Sequence, residues 1–298
     1  MSQKRTLSIL VLVLAVLLVL YGGLRIYQNR QSDDSDDTIT IKDLSSLTSI
    51  SYNNGEDLSF VKEDGTWYYK NNKNYPIAQD TVDNLASTFQ KMEAVRRLGK
   101  GDGLDDYGLK NPSYTVTVKD KDGTETSFYI GNAAGENYYL TVDDKSTIYT
   151  VSSDVVNSLS STLDDFIQKD TFPTLSSGNI TKVVVTQDGK KTTYKSDDDI
   201  DSIGGGLGTF TFGNCENYAA SDSDLSKYGL DEDSQITVKV SYKDTDDDNE
   251  KKSVTLCIGF KDSSGDYYYV KLSNSDMVYL GDADVIKNIL NHRVGGGD

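Results

Sequence analysis

Cys215, Cys257 and the single histidine, His292, are the residues of this chain best suited to nucleophilic or metal chemistry. A Ser-His-Asp or Cys-His mechanism needs a rigidly held imidazole, and His292 stands beside a Gly295-Gly296-Gly297 tail that is expected to fray. Structural zinc wants four ligands in closely spaced pairs, which two separated cysteines and one histidine do not supply. Both cysteines fall in strand-like runs, 214 to 219 and 254 to 259, so their residues leave two states open. One is a single bridge and the other is a pair of buried free thiols.

Carboxylates are abundant but unspecific. Asp244-Thr245-Asp246-Asp247-Asp248-Asn249-Glu250 places acids at alternate positions, as a calcium loop does. That loop also needs Gly sixth and Glu twelfth, where this chain has Asn249 and Thr255. A solvated hairpin tip is the expectation and an irregular weak calcium site the alternative. Acids in Asp120-Lys121-Asp122-Gly123 and Asp188-Gly189 are turn formers, and nothing isolates a pair for glycoside hydrolysis. Gly204-Gly205-Gly206-Leu207-Gly208 lacks the Lys-Ser/Thr of a phosphate loop and reads as a flexible turn.

The aromatic runs Trp67-Tyr68-Tyr69, Tyr138-Tyr139 and Tyr267-Tyr268-Tyr269 can place only alternate rings on one strand face. Core packing is expected for most of them, and Trp67, Tyr139 and Tyr268 are the candidates for a partner or ligand surface. No catalytic, cofactor-binding or metal-ligating residue is assigned.

The elements that would position these residues come in two copies. Asp105-Asp106-Tyr107-Gly108-Leu109-Lys110 is answered by Ser226-Lys227-Tyr228-Gly229-Leu230-Asp231, each followed by an alternating strand, 114 to 118 and 236 to 240. A charged turn and a strand ending in Ile-Gly follow, Ile130-Gly131 and Ile258-Gly259. Asn137-Tyr138-Tyr139-Leu140 is then aligned with Asp266-Tyr267-Tyr268-Tyr269, and Ile148-Tyr149 with Val278-Tyr279. The opening strands match as well, Ile50-Ser51-Tyr52 with Val183-Val184-Val185.

Each copy is predicted to close on a helix. In the first, Val155, Val156, Leu159, Leu163, Phe166 and Ile167 share a face behind Ser152 and Ser153; in the second, 283 to 291 carries Val285, Ile286, Ile289 and Leu290. Copy one also has an amphipathic helix capped by Asp80, with Val82, Leu85, Ala86, Phe89 and Met92 at helical spacing. The matching helix in copy two, after Asp197, is predicted to be shortened or lost at its three consecutive glycines.

Upstream, Thr6 to Tyr27 is almost wholly apolar, and its 22 residues as a helix span the hydrocarbon layer of about 30 Å. Lys4 and Arg5 before it favour a cytoplasmic N-terminus, and the stretch is too long, without a small-x-small site, for a cleaved signal. The expected organisation is a cytoplasmic tip and signal anchor at 1–30, an acidic tether at 31–37 and a first module at 38–170. A linker at 171–179, a second module at 180–292 and a flexible tail at 293–298 complete it. The fold class is α+β: a transmembrane helix, then two repeated β-rich modules with a few short helices.

Net charge is −17 over the chain. Four basic residues and no acid fall in the first 30 positions, leaving 26 basic against 47 acidic residues, or −21, beyond them. Such a surface repels nucleic acid and anionic lipid, so nucleic-acid binding is excluded.

Together, the apolar anchor, the Gly65-Thr66-Trp67-Tyr68 strand opening, the Tyr-Gly-Leu turn, the Ile-Gly strand end and the following Tyr-Tyr pair resemble one bacterial family, domain of unknown function 4340. The resemblance covers nearly all of 40 to 292. It implies an envelope protein, in a family often encoded near ATP-driven exporters, and carries over no catalytic residues. The expected role is therefore a non-enzymatic extracytoplasmic interaction module, single-pass in the cell membrane, accessory to a complex such as an ABC-type transporter. Envelope glycan or ligand binding and a carboxylate-dependent hydrolase are the alternatives. No cofactor is expected.

Overall fold

The computed structural model describes residues 39–195, 197–245, 247 and 249–290. The expected membrane segment, the tether, His292 and the tail lie outside the described residues. Among the described residues, no helix is long and apolar enough to cross a membrane.

The first repeat contains β1 (Ile39–Asp43), β2 (Leu47–Asn53), β3 (Asp57–Glu63), β4 (Thr66–Tyr69), α1 (Gln79–Gln90), β5 (Lys91–Ala94), β6 (Arg96–Gly99), β7 (Tyr114–Asp120), β8 (Glu125–Ala134), β9 (Asn137–Val142), β10 (Ile148–Ser152) and α2 (Ser153–Asn157). The second contains β11 (Ile180–Gln187), β12 (Lys190–Tyr194), α3 (Asp197–Thr209), β13 (Cys215–Asn217), α4 (Asp222–Tyr228), β14 (Ile236–Asp244), β15 (Glu250–Lys261), β16 (Tyr267–Leu272), β17 (Val278–Asp282) and α5 (Ala283–Leu290). The protein is β-rich with few helices, and its strands form three sheets.

Strand order shows the duplication directly. The first repeat runs β4-β3-β2-β7-β8-β9-β10-β6 and the second β12-β11-β14-β15-β16-β17-β13. With β4 set aside, the two orders match strand for strand. The local irregularities match too, because register slips recur at equivalent places. They fall between Leu47/Ser49 and Ile180/Lys182, between Ile130/Ala133 and Ile258/Lys261, and between Ile148/Tyr149 on β10 and Cys215/Asn217 on its counterpart's neighbour β13. At the first of these, Thr48 donates to the Lys119 carbonyl (3.2 Å) and Thr181 to the Ser241 carbonyl (3.0 Å). A bulge changes the twist of one strand against its neighbour, so its position is part of the fold's design.

Turn chemistry explains one early hairpin in each repeat. Asp64-Gly65 (φ 49° and 86°) joins β3 to β4, and Asp188-Gly189 (φ 49° and 73°) joins β11 to β12. Two successive positive-φ residues twist as the strands do, and Asp-Gly tolerates them. The core is drawn from the alternating inner positions, among them Ile50, Phe60, Val116, Val118, Phe128, Ile130 and Leu140 in the first repeat. Val183, Val238, Val240, Leu256, Ile258 and Val270 do the same in the second.

Three helix expectations are corrected. Asp80 lies in the first turn of α1, where its charge faces the positive helix end, and Gln79 precedes it in the helix. The closing helix of the first repeat stops at Asn157. Asn54 donates to the carbonyls of Leu159 and Ser161 (2.8 Å each), and Asp165 accepts from both the backbone and the hydroxyl of Thr162 to start a separate 3₁₀ turn, Leu163–Phe166. Leu159, Leu163, Phe166 and Ile167 are buried, though not on one helix.

The third correction is the largest. α3 runs 13 residues through all the glycines. Ile200, Ile203 and Leu207 bury one helical face, and the glycines permit close approach on others. A Cβ at Gly206 would lie 3.0 Å from Ile289 of α5, and one at Gly208 2.8 Å from the Leu175 carbonyl oxygen. Packing against α5 and the 171–179 segment thus outweighs glycine's cost of about 1 kcal/mol per residue in a helix.

The chain divides into two compact units that do not follow the repeat boundary. Among the described residues, one comprises 39–45, Thr88–Thr115 and Thr126–Val156; the other comprises Ser46–Ser87, Val116–Glu125 and 157–290.

Candidate functional site

The paired motifs prove to be one interlocking device, built twice. Gly108 (φ 69°) and Gly229 (φ 68°) take the left-handed conformation that turns the chain so that Leu109 and Leu230 are buried. The glycine of each Ile-Gly pair lies against that turn. A Cβ on Gly131 would come 2.2 Å from the Tyr107 carbonyl oxygen, and one on Gly259 2.1 Å from that of Tyr228. The tyrosines of the turns then pack on β9 and β16, Tyr107 against Tyr139 and Tyr228 against Tyr269, each with ring centroids 4.8 Å apart. The residues that mark the repeat in the sequence therefore lock the turn against the sheet.

This packing corrects the alignment of the aromatic runs by one residue. Strand register pairs Ala133 with Tyr138 in the first repeat and Lys261 with Tyr268 in the second, so Tyr139 corresponds to Tyr269 and Tyr138 to Tyr268. Three consecutive tyrosines, 267 to 269, leave the register ambiguous until the bulge after Ile258 is known.

The three candidate surface residues do not make a common platform. Trp67 is only 2% exposed, its Nε1 donates to Asp83 Oδ1 (2.7 Å), and the Lys62 ammonium lies 5.1 Å from its ring centroid while pairing with Asp83 at 2.8 Å. It is a core residue, and large apolar rings with a satisfied N–H belong there. Tyr139 is half-buried under Tyr107 in one compact unit, and Tyr268 is half-buried in the other, with Lys261 5.4 Å above its ring.

The exposed aromatics lie beside Tyr268. Phe260 is 52% exposed and Tyr267 40%, and they flank the turn of the β15–β16 hairpin. By register their first-repeat counterparts are Asn132 and Asn137. Tyr267 is hidden in the sequence by the two tyrosines that follow it, and Phe260 stands alone between Gly259 and Lys261.

Cys215 and Cys257 are free thiols. Burial pushes Cys215 up to about 11 and raises Cys257 as well, so neither supplies thiolate at neutral pH, and a nucleophilic role loses its reactive form. Cys215 Sγ donates to the Val278 carbonyl (3.4 Å).

Near Cys215, within the same compact unit, lies a polar cluster on the segment that follows the first repeat. Lys169 pairs with Asp164 and holds its carboxyl below the usual range, and the Tyr218 hydroxyl donates to Asp164 (2.9 Å). Burial, then that carboxylate, pushes the Tyr218 phenol upward. The Asp170 N–H donates to Tyr279 Oη (2.7 Å), and Ser275 donates to the Asp170 carboxylate. A run of ring contacts, Phe166–Phe60–Tyr69–Tyr75–Tyr218, joins the opening hairpin of the first repeat to β13's extension in the second. These groups tie the segment 163–170 to both repeats.

The acidic hairpin is closed by a lysine. Lys252 Nζ lies 2.9 Å from Asp244, 2.9 Å from Asp247 and 3.5 Å from Glu250. The carboxylates of an EF-like loop thus surround an ammonium group, and no cluster able to hold a metal ion occurs among the described residues.

An open groove of about 590 Å³ lies on the outer face of the second sheet, between α4 with its following loop and strands β14 to β16. Lys271 lines it and is only 7% exposed.

Fold and site together define a duplicated α+β sheet protein whose signature residues are structural. The family model for a domain of unknown function, DUF4340, matches residues 67–204 and again 197–291, and the chain belongs to that family in two copies. No curated protein and no solved structure matches it.

Proposed function

We propose that the protein is a non-enzymatic interaction module, held at the outer face of a membrane by residues 6–27 and serving a membrane complex such as an ABC-type exporter. The apolar length of that segment and Lys4 and Arg5 before it support the anchor and its orientation. The observation that carries the interaction reading is the exposed pair Phe260 and Tyr267 on one hairpin of the second repeat. Solvent-facing aromatics on a rigid hairpin supply contact area at low entropic cost, and such residues anchor protein interfaces. The first repeat has Asn132 and Asn137 there, so the partner surface belongs to the second copy.

Crosslinking of the full-length protein in its native membrane, followed by affinity capture and mass spectrometry, tests this. Transporter subunits should be recovered with the native chain and lost with a Phe260→Ser, Tyr267→Ser variant. Capture of no membrane protein by the native chain would refute it.

A further inference from the structure

The groove on the second repeat has features of a ligand site that the first repeat lacks, and they do not depend on what the Phe260–Tyr267 hairpin binds. Lys271 stands on the sheet face opposite Val270 and Leu272, alongside its cross-strand neighbour Cys257. It has no hydrogen-bond or ion-pair partner for its side chain among the described residues. Its stem is buried while the side chain lines the open groove, so a carboxylate entering there meets an ammonium that no protein anion neutralises and gains a charge-assisted hydrogen bond. Leu225 and Leu230 give the groove apolar walls, while Asp231 and Glu232 bring negative charge to its loop side.

The first repeat fills the equivalent place by itself. Tyr129 stands where Cys257 does, with Lys145 Nζ 3.9 Å from its ring centroid. Thr141 stands where Lys271 does, and its hydroxyl donates to the Thr147 carbonyl (2.8 Å). Nothing there calls for an external anion. The second copy has a groove and a cation where the first has a hydrogen-bonded threonine and a tyrosine under a lysine.

We infer that this groove binds a small zwitterionic amino carboxylate, with its carboxylate on Lys271 and its ammonium toward Asp231 and Glu232. The volume falls within the range of about 300 to 1,000 Å³ usual for small-ligand sites. The acids oppose multiply charged anions such as phosphate esters, and the single cation matches one carboxylate.

Equilibrium dialysis of the full-length protein in lipid nanodiscs tests this with L-alanine, trialanine, trialanine amide and N-acetyl-trialanine. Alanine or trialanine should bind, and whichever binds more tightly identifies a free amino acid or a peptide as the source. Amidation of the carboxylate and Lys271→Met should each weaken binding by about tenfold or more, and N-acetylation should weaken it less. Lys271→Met keeps the buried apolar stem and removes no hydrogen bond or ion pair within the described residues, so its thermal midpoint should be unchanged, which separates lost binding from lost folding. Absence of binding by both alanine and trialanine at millimolar concentration, or unchanged binding by Lys271→Met, would overturn the assignment.

Discussion

α1 and α3 follow the opening hairpin in their respective repeats and solve the same packing problem with opposite residues. α1 buries Val82, Leu85, Ala86 and Phe89, so large side chains fill the space beneath it. α3 buries Ile200, Ile203 and Leu207 and then uses glycines to bring α5 and the 171–179 segment to its surface. The difference teaches that helix propensity sets only the starting cost. Close backbone approach on glycine faces recovers it through dispersion contacts that propensity does not register.

The same contrast yields predictions that would sharpen it or break it. The repeats agree most closely at the Gly131 and Gly259 interlocks, so Gly131→Ala and Gly259→Ala should have the largest effects. Each forces a methyl onto a carbonyl oxygen and should destabilise the protein by about 3 kcal/mol, as read by urea unfolding. A large loss from one and none from the other would mean the copies are not held alike.

On α3, Gly206→Leu should cost about 1–3 kcal/mol, because its side chain meets Ile289 and the Asn288 backbone. Gly205→Ala, where nothing lies within 4 Å of the added carbon, should instead stabilise by about 0.5–1 kcal/mol. Opposite signs at adjacent glycines, measured by thermal unfolding, would separate packing from propensity.

The smallest effect belongs to the junction. Tyr218→Phe should cost about 0.5 kcal/mol, since the hydrogen bond to Asp164 is half-exposed. Asp164 is depressed in the folded state, so its contribution is present above the ordinary carboxylate value of 3.8 and lost as pH falls through the folded value. Tyr218 is raised, so its contribution is present below the ordinary phenol value of 10.0 and lost as pH rises from there through the folded value. Tyr218→Phe should therefore shallow the alkaline limb of a stability–pH curve.

Local signals in the sequence carried much of this architecture. Tyr-Gly-Leu, Ile-Gly and the alternating strands 114 to 118 and 236 to 240 each depend on neighbouring residues, and together they disclose the repeat. The fate of α3 depended on Ile289 and on Leu175 of the linker, each more than thirty residues away in sequence from the glycine it meets. The spacing of Ile200, Ile203 and Leu207 was nevertheless a helical signal that the glycines obscured. The closing helix of the first repeat failed because Asn54, about a hundred residues upstream, takes two of its carbonyls. Lys271 was invisible as a site residue because a lysine in an alternating strand reads as solvent-facing. Only the sheet face and the missing partner mark it. Trp67 misled in the opposite direction, since an aromatic run does not reveal which ring turns inward.

Hydrogen exchange of the full-length protein, read by mass spectrometry over 200–209 and 82–90, tests most directly whether the two repeats are one fold element for element. The glycine-bearing segment should be protected to an extent comparable with α1, and Gly206→Leu should lower that protection while leaving 82–90 unchanged. Exchange of 200–209 at the rate of an unstructured chain, with the flanking strands protected, would contradict it and return the segment to a flexible glycine turn.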